Sequence, residues 1–260
     1  MILDREDFLR RFDENQRIKI RIPRMRREET GQVIRHVGDE DRDGVVLFSR
    51  LSEATIDEAI REQVAYFAKL GYAFEWKVYE HDRPADLKER LARQRFTIGE
   101  EEAFLTLDLA QAPAALLQPV TLDVRRETDP VAVAGVMAVK AAVWNAPSDQ
   151  LGARLAADLR ERPELISLYV GYDGEKPVCS AWTYFDGGSD FAGLWGGSTL
   201  AEYRGRGYYT ALLSLRVQEA LRRGIRYLIV DASPMSRPIL EKHGFTFVEY
   251  TYPCEWSPAD

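Results

Sequence analysis

The chain has 260 residues, 45% of them hydrophobic and 30% charged, with a formal net charge of −7. That length and balance describe a globular protein of one large or two modest domains, and the acidic excess argues against nucleic-acid binding. No apolar run approaches the ~20 residues of a membrane span, so a membrane role is not expected. Met1–Arg11 is rich in charge and does not read as a signal peptide. Two cysteines, Cys179 and Cys254, and three histidines, His36, His81 and His243, lack metal-ligand or redox spacing, so no metal is implied. Both cysteines fall on expected strands as buried thiols, which suits a reducing cytoplasm.

In chain order, Arg17–Arg27 alternates basic and apolar residues. The alternation predicts an edge strand with a solvated basic face; a site for an acidic substrate or for RNA is the other reading. Ile56–Leu70 is an amphipathic helix stopped by Gly71, and Ala73–Tyr79 a strand. Pro84 and Ala85 open a helix that runs through Leu87 and Leu91 to Arg95-Phe96, and a strand spans Glu102–Leu109. Residues 111–119 lie in an uncharged stretch and read as a linker between domains at 1–110 and 120–260.

Thr121–Arg125 is a strand, and Asp129-Pro130 caps a helix over Val131–Trp144. A second helix fits Gln150–Arg160. Leu165–Tyr172 and Pro177–Phe185 form an antiparallel hairpin about Asp173-Gly174. Trp144, Trp182 and Trp195 are expected in the core. Phe191–Trp195 is a strand running into Gly196-Gly197-Ser198-Thr199-Leu200. A helix over Thr210–Arg223 carries Ala211, Leu212, Leu215, Val217 and Leu221 and ends at Gly224. Ile225–Val230 is a buried strand, Ser236–Gly244 a second helix with its stop, and Phe247–Trp256 a final strand.

The stretch before the Thr210 helix carries the chemistry. Tyr203-Arg204-Gly205-Arg206-Gly207-Tyr208-Tyr209-Thr210 places two glycines and two arginines between a strand and a helix N-terminus. The first N–H groups of a helix have no partner within it and lie at the positive end of its dipole. Gly205 and Gly207 let the main chain approach an anion closely, and Arg204 and Arg206 add positive charge. A P-loop would need Lys-Ser/Thr where Tyr208-Tyr209 stand. A dinucleotide fingerprint would need a third glycine at Thr210, although Asp231 lies roughly 20 residues on. A tight turn that binds nothing is the plain alternative.

The order of elements from residue 120 to 256, with this loop and with the ending Leu240-Glu241-Lys242-His243-Gly244-Phe245, resembles the GNAT superfamily of acyl-CoA-dependent N-acyltransferases. The family's R/Q-x-x-G-x-G/A loop falls on Arg204, Gly207 and Tyr209. The resemblance implies a mixed α/β sheet with helices on both faces, and acetyl-CoA as donor. It places pantetheine along the main chain at Gly197, Ser198 and Thr199, and the pyrophosphate on the N–H groups from Gly205 to Thr210. It further implies transfer to a primary amine of a small molecule or peptide, by a monomer or homodimer. The family's usual tyrosine acid falls on Leu240, which cannot donate a proton. Ser233, Ser236 and Tyr208 are the candidate acids in its place, and Glu202, Asp231 and Glu249 the candidate bases. Trp144-Asn145-Ala146-Pro147 stands where the family places its acceptor-binding loop.

The first 110 residues repeat the pattern helix–Gly–strand–Pro–helix–Phe–strand. The repeat offsets are 153 residues from Gly71 to Gly224 and 149 from Phe96 to Phe245, a difference of about one helical turn. They read as a smaller, degenerate copy of the same half-domain. Phe48-Ser49-Arg50-Leu51-Ser52-Glu53 replaces the glycine turn, so this half is expected to bind no CoA. Two other readings of the whole chain are a non-catalytic acyl-CoA-binding or regulatory module and an interaction protein that has lost CoA.

Overall fold

A computed structural model describes residues 4–145 and 149–258. Its helices are α1 (Arg5–Phe12), α2 (Ile56–Leu70), α3 (Leu87–Arg93), α4 (Val133–Trp144), α5 (Asp149–Glu161), α6 (Tyr208–Arg222) and α7 (Arg237–Lys242). Its strands are β1 (Arg26–Thr30), β2 (Val33–Gly38), β3 (Asp43–Ser49), β4 (Phe74–Tyr79), β5 (Thr97–Ile98), β6 (Glu102–Asp108), β7 (Val124–Glu127), β8 (Ile166–Asp173), β9 (Lys176–Phe185), β10 (Phe191–Thr199), β11 (Tyr227–Ala232) and β12 (Thr246–Trp256). They form two compact units. The first holds the residues up to Leu105, Asp231–Arg237 and those from Phe247 on; the second holds Thr106–Val230 and Pro238–Thr246.

In the first unit the strand order is β1-β2-β3-β4-β12. β3 and β4 are parallel and joined through α2, whereas β12 lies antiparallel to β4 from Thr251↔Tyr79 to Trp256↔Phe74. The sheet of the N-terminal residues is thus completed by the last strand of the chain. Ile56, Ile60, Gln63 and Phe67 recur at helical spacing and are the buried face of α2. Phe67 stacks on Phe74 with ring centroids 4.2 Å apart. The order β2-β3-α2-β4-α3 matches the order β9-β10-α6-β11-α7 in the rest of the chain, with β2·β3 and β9·β10 antiparallel and β3·β4 and β10·β11 parallel.

The expected edge strand at Arg17–Arg27 is not formed. α1 continues through a π-helical turn at Asp13–Ile18, and the edge strand starts only at Arg26. Arg17 is the cause. It is 1% exposed, and its guanidinium grips both carboxylate oxygens of Asp82, at 2.7 and 2.8 Å, and Asp13 at 2.7 Å. A period-2 pattern assumes that its arginines face water; a buried carboxylate 65 residues away overrides it.

In the second unit the order is β11-β10-β9-β8-β7. α4 and α5 cover one face with Val133, Val136, Leu155 and Leu159 against Ile166, Leu168, Val170 and Trp182. α6 covers the other, where Tyr208 and Leu212 meet Tyr169, Val178, Cys179 and Ala181. This is the mixed α/β sheet with helices on both faces that the sequence predicts. Segment 111–119 lies in this unit: Leu116 is fully buried, and Gln218 of α6 donates to Leu116 O (3.0 Å) and Gln118 O (2.9 Å). β11 begins at Tyr227 rather than Ile225, because Ile225 N–H donates back to Ala220 O and closes the end of α6. Trp182 is in the core as expected, but Trp144 and Trp195 are 48% and 53% exposed. No described helix is long and apolar enough to cross a membrane.

Candidate cofactor and active site

β10 is paired with β9 over Ala192–Trp195 and again at Ser198-Thr199, yet its parallel pairing with β11 covers only Phe191–Gly193 against Tyr227–Ile229. Past Gly193 the two strands part. The β10 main chain from Leu194 to Thr199 then has no ladder partner on that edge, and such groups must find another donor or acceptor. The register with β9 slips between Trp195 and Ser198, which bulges β10 at Gly196-Gly197. Gly196 takes φ +62°, and a Cβ there would stand 1.8 Å from Trp182 Cζ3, so only glycine lets the bulge form.

β10 leads into the loop. Leu200 N–H returns to Val178 O, a short turn spans Ala201–Tyr203, and Arg204 Nε donates to Thr199 O at 3.3 Å. Gly205 and Gly207 have φ +72° and +89°, the left-handed region that glycine enters without strain. α6 starts at Tyr208, and its own bonding begins with Ala211 N–H to Gly207 O. The N–H groups before Ala211 therefore have no acceptor inside the helix. Arg204, Gly205, Arg206 and Gly207 are exposed, and the first turn of α6 has no acidic residue. An exposed, positively biased helix start with two left-handed glycines fits a diphosphate.

The other expected cofactor residues line the same strand and helix. Gly197 lies under the Tyr209 ring, and Thr199 is 8% exposed. Ser198 is 3% exposed, and its hydroxyl accepts from Trp144 Nε1 at 3.0 Å. Ala146 and Pro147 of the expected acceptor loop lie outside the described residues.

The four expected catalytic residues have the following surroundings. Tyr208 is 8% exposed, packs edge-on to Tyr203, and donates its hydroxyl proton to Tyr172 O at 3.1 Å. Glu202 is exposed and 3.2 Å from Lys176; a main-chain hydrogen bond and then Lys176 hold its carboxyl below the usual range. Ser233 and Ser236, in the first unit, are bonded to each other: the hydroxyls are 3.2 Å apart and Ser236 Oγ donates to Ser233 O. Of the two other carboxylates, Asp231 pairs with Lys77 at 3.1 Å, and Glu249 is fully buried between His81 Nδ1 and Arg5. Leu240 is 1% exposed, a core side chain where the family's acid would stand.

Two relationships escaped the sequence reading. His243 Nε2 lies 3.2 Å from Thr210 Oγ1, in the first turn of α6. Burial, then Lys242, push its pKa below 6.5, so its ring is neutral at pH 7. A spacing of 33 residues carries no periodic signal. Tyr209 and Arg216 share one face of α6 at i and i+7 and interact. That spacing was legible, but an arginine on an apolar face ordinarily reaches solvent.

Residues 133–245 match the model of the acetyltransferase (GNAT) family. No curated protein matches the chain in sequence. Among solved structures, the chain resembles a GCN5-related N-acetyltransferase from Kribbella flavida at 13% identity and a TM-score of 0.70, covering 98% of this chain and 95% of that one. A conserved protein of unknown function from Staphylococcus epidermidis gives 13% identity and a TM-score of 0.69, over 95% and 98% of the two chains. A tandem GNAT protein from the clavulanic acid biosynthesis pathway gives 12% and 0.58, over 94% and 87%. Similarity at this level is one of fold.

Proposed function

We propose that the protein is an N-acetyltransferase that moves an acetyl group from acetyl-CoA to a primary amine of a small molecule or peptide in the cytoplasm. The observation that carries this reading is the junction of the parted β10 edge with the Gly205–Gly207 helix start. One offers unpaired main-chain groups to the pantetheine amides, and the other offers N–H donors to the pyrophosphate. The neutral amine nitrogen attacks the thioester carbon, and the carbonyl electrons move to oxygen. Collapse breaks the C–S bond and releases CoA thiolate, while the amine proton passes to solvent or to a carboxylate. A thiol is acidic enough to leave without a dedicated acid.

A specific observation supports a second reading, a non-catalytic acyl-CoA-binding module. Leu240 is buried, and the Tyr208 proton is held by Tyr172 O, so neither position supplies a ready donor. Incubation with labelled acetyl-CoA and a panel of amines separates the two. Label on an amine with stoichiometric thiol release supports the enzyme; tight CoA binding with no release supports the module.

A further inference from the structure

Beneath the β10 bulge lies a charge that folding alone does not explain. Arg216, on α6, is 2% exposed. Its Nε donates only to Leu212 O of its own helix, at 3.3 Å, and its Nη2 has no hydrogen-bond partner among the described residues. Glu219, one turn on, is occupied elsewhere. It accepts from Ser167 (2.8 Å), from Tyr169 and from Arg223 (2.7 Å), and pairs with Arg126 at 3.2 Å. The groups that feel Arg216 are the Tyr209 and Tyr169 hydroxyls and the Cys179 thiol, none of them a carboxylate. A buried guanidinium with no carboxylate beside it and one nitrogen unsatisfied is among the less favourable things a core can hold, and an apolar residue of similar volume is commonly neutral or stabilising in its place.

Tyr209 connects this charge to the bulge. Its Cε2 and hydroxyl lie 3.2 and 3.7 Å from where a Cβ on Gly197 would be. Gly197 belongs to the stretch of β10 whose main chain lacks a ladder partner toward β11. Burial pushes the Tyr209 phenol above its ordinary pKa and Arg216 opposes that, while burial pulls the Arg216 pKa down. The phenol therefore keeps its proton at pH 7, and with Arg216 donating to its oxygen that proton is available to a ligand.

We propose that Arg216 is a positioning residue for acyl transfer: acting through Tyr209, it sets a hydrogen-bond donor and a buried positive field at the Gly196-Gly197 bulge, where the thioester oxygen gains negative charge. The inference rests on the acyltransferase reading. A fixed donor in a site of low dielectric stabilises developing charge more than ground-state charge, and loss of one such donor lowers kcat by up to about 10²–10³-fold.

The test compares Arg216→Met, Arg216→Lys, Tyr209→Phe and the Arg216→Met/Tyr209→Phe double variant in the full chain. Unfolding temperature, KM for acetyl-CoA and kcat are measured for each. Arg216→Met is expected to keep or raise the unfolding temperature while kcat falls at least about 10-fold with KM for acetyl-CoA within about 2-fold. Arg216→Lys should recover part of the loss, and the double variant should be no worse than the worse single variant. Full kcat in Arg216→Met, or a lowered unfolding temperature with additive losses, would overturn the proposal and leave the acyltransferase reading standing. A wild-type protein that binds acetyl-CoA but transfers nothing would overturn both.

Discussion

Gly193 pairs with Ile229, and the parallel pairing of β10 with β11 ends there. Three consequences meet at that point. The main chain of β10 is released, the strand bulges three residues later at Gly196, and the loop that follows turns through two left-handed glycines into α6. An acyl-CoA presents a thioester, then the pantetheine amides, then a pyrophosphate, and an open main-chain edge followed by an anion-binding helix start suits the last two in that order.

Gly207→Val should abolish CoA binding while leaving the second unit folded. Space is not the obstacle, since the nearest side-chain atom to a Cβ there is 3.6 Å away. The obstacles are φ +89°, which costs a β-branched residue about 1–2 kcal/mol, and the loss of close main-chain approach to the pyrophosphate. Isothermal titration with CoA checks this, with circular dichroism as the folding control.

His243 should take up a proton when CoA binds. Its pKa is depressed in the free protein, and a diphosphate placed beside Thr210 would raise it. Affinity for CoA should therefore rise as pH falls from about 7.5 to 6, and His243→Gln should flatten that slope. Calorimetry in two buffers of different ionisation enthalpy reads the proton directly.

In the first unit, burial alone would lower the His81 pKa, but Asp13 and Glu249 outweigh it and raise it to about 9. The folded protein thus binds a proton more tightly than the unfolded chain. The resulting stability, on the order of 3 kcal/mol, is complete below pH ~6.5 and is lost as pH climbs through ~9. Unfolding midpoints from pH 6 to 10 should fall over that window in the wild type and stay flatter in His81→Gln.

Arg17→Met should destabilise the first unit by about 3–5 kcal/mol, because it leaves the Asp82 and Asp13 carboxylates without their cation. Removing Asp82 as well, in Arg17→Met/Asp82→Leu, should restore part of the loss. Urea denaturation of the single and double variants measures both.

What the sequence revealed follows from where each signal resides. The left-handed turn at Gly205–Gly207 was legible because glycines and a helix start are local, as were the two hairpin strands about Asp173-Gly174. The Arg17 segment was misread because its partner, Asp82, lies on another element, and no local pattern records a buried ion pair. Exposure of Trp144 and Trp195 was missed for the same reason: a tryptophan's burial depends on what packs above it. The surroundings of the candidate acids were least legible. With Leu240 at the usual position, the acid had to be sought among hydroxyls whose bonding only the fold determines, such as that of Tyr208 to Tyr172 O.

The most direct measurement of the central claim is native mass spectrometry of the full chain with acetyl-CoA, run on the wild type and on Gly207→Val. One equivalent of acetyl-CoA per chain, lost in the variant, is the predicted result. No adduct on the wild type, two equivalents per chain, or an adduct that survives Gly207→Val would contradict it.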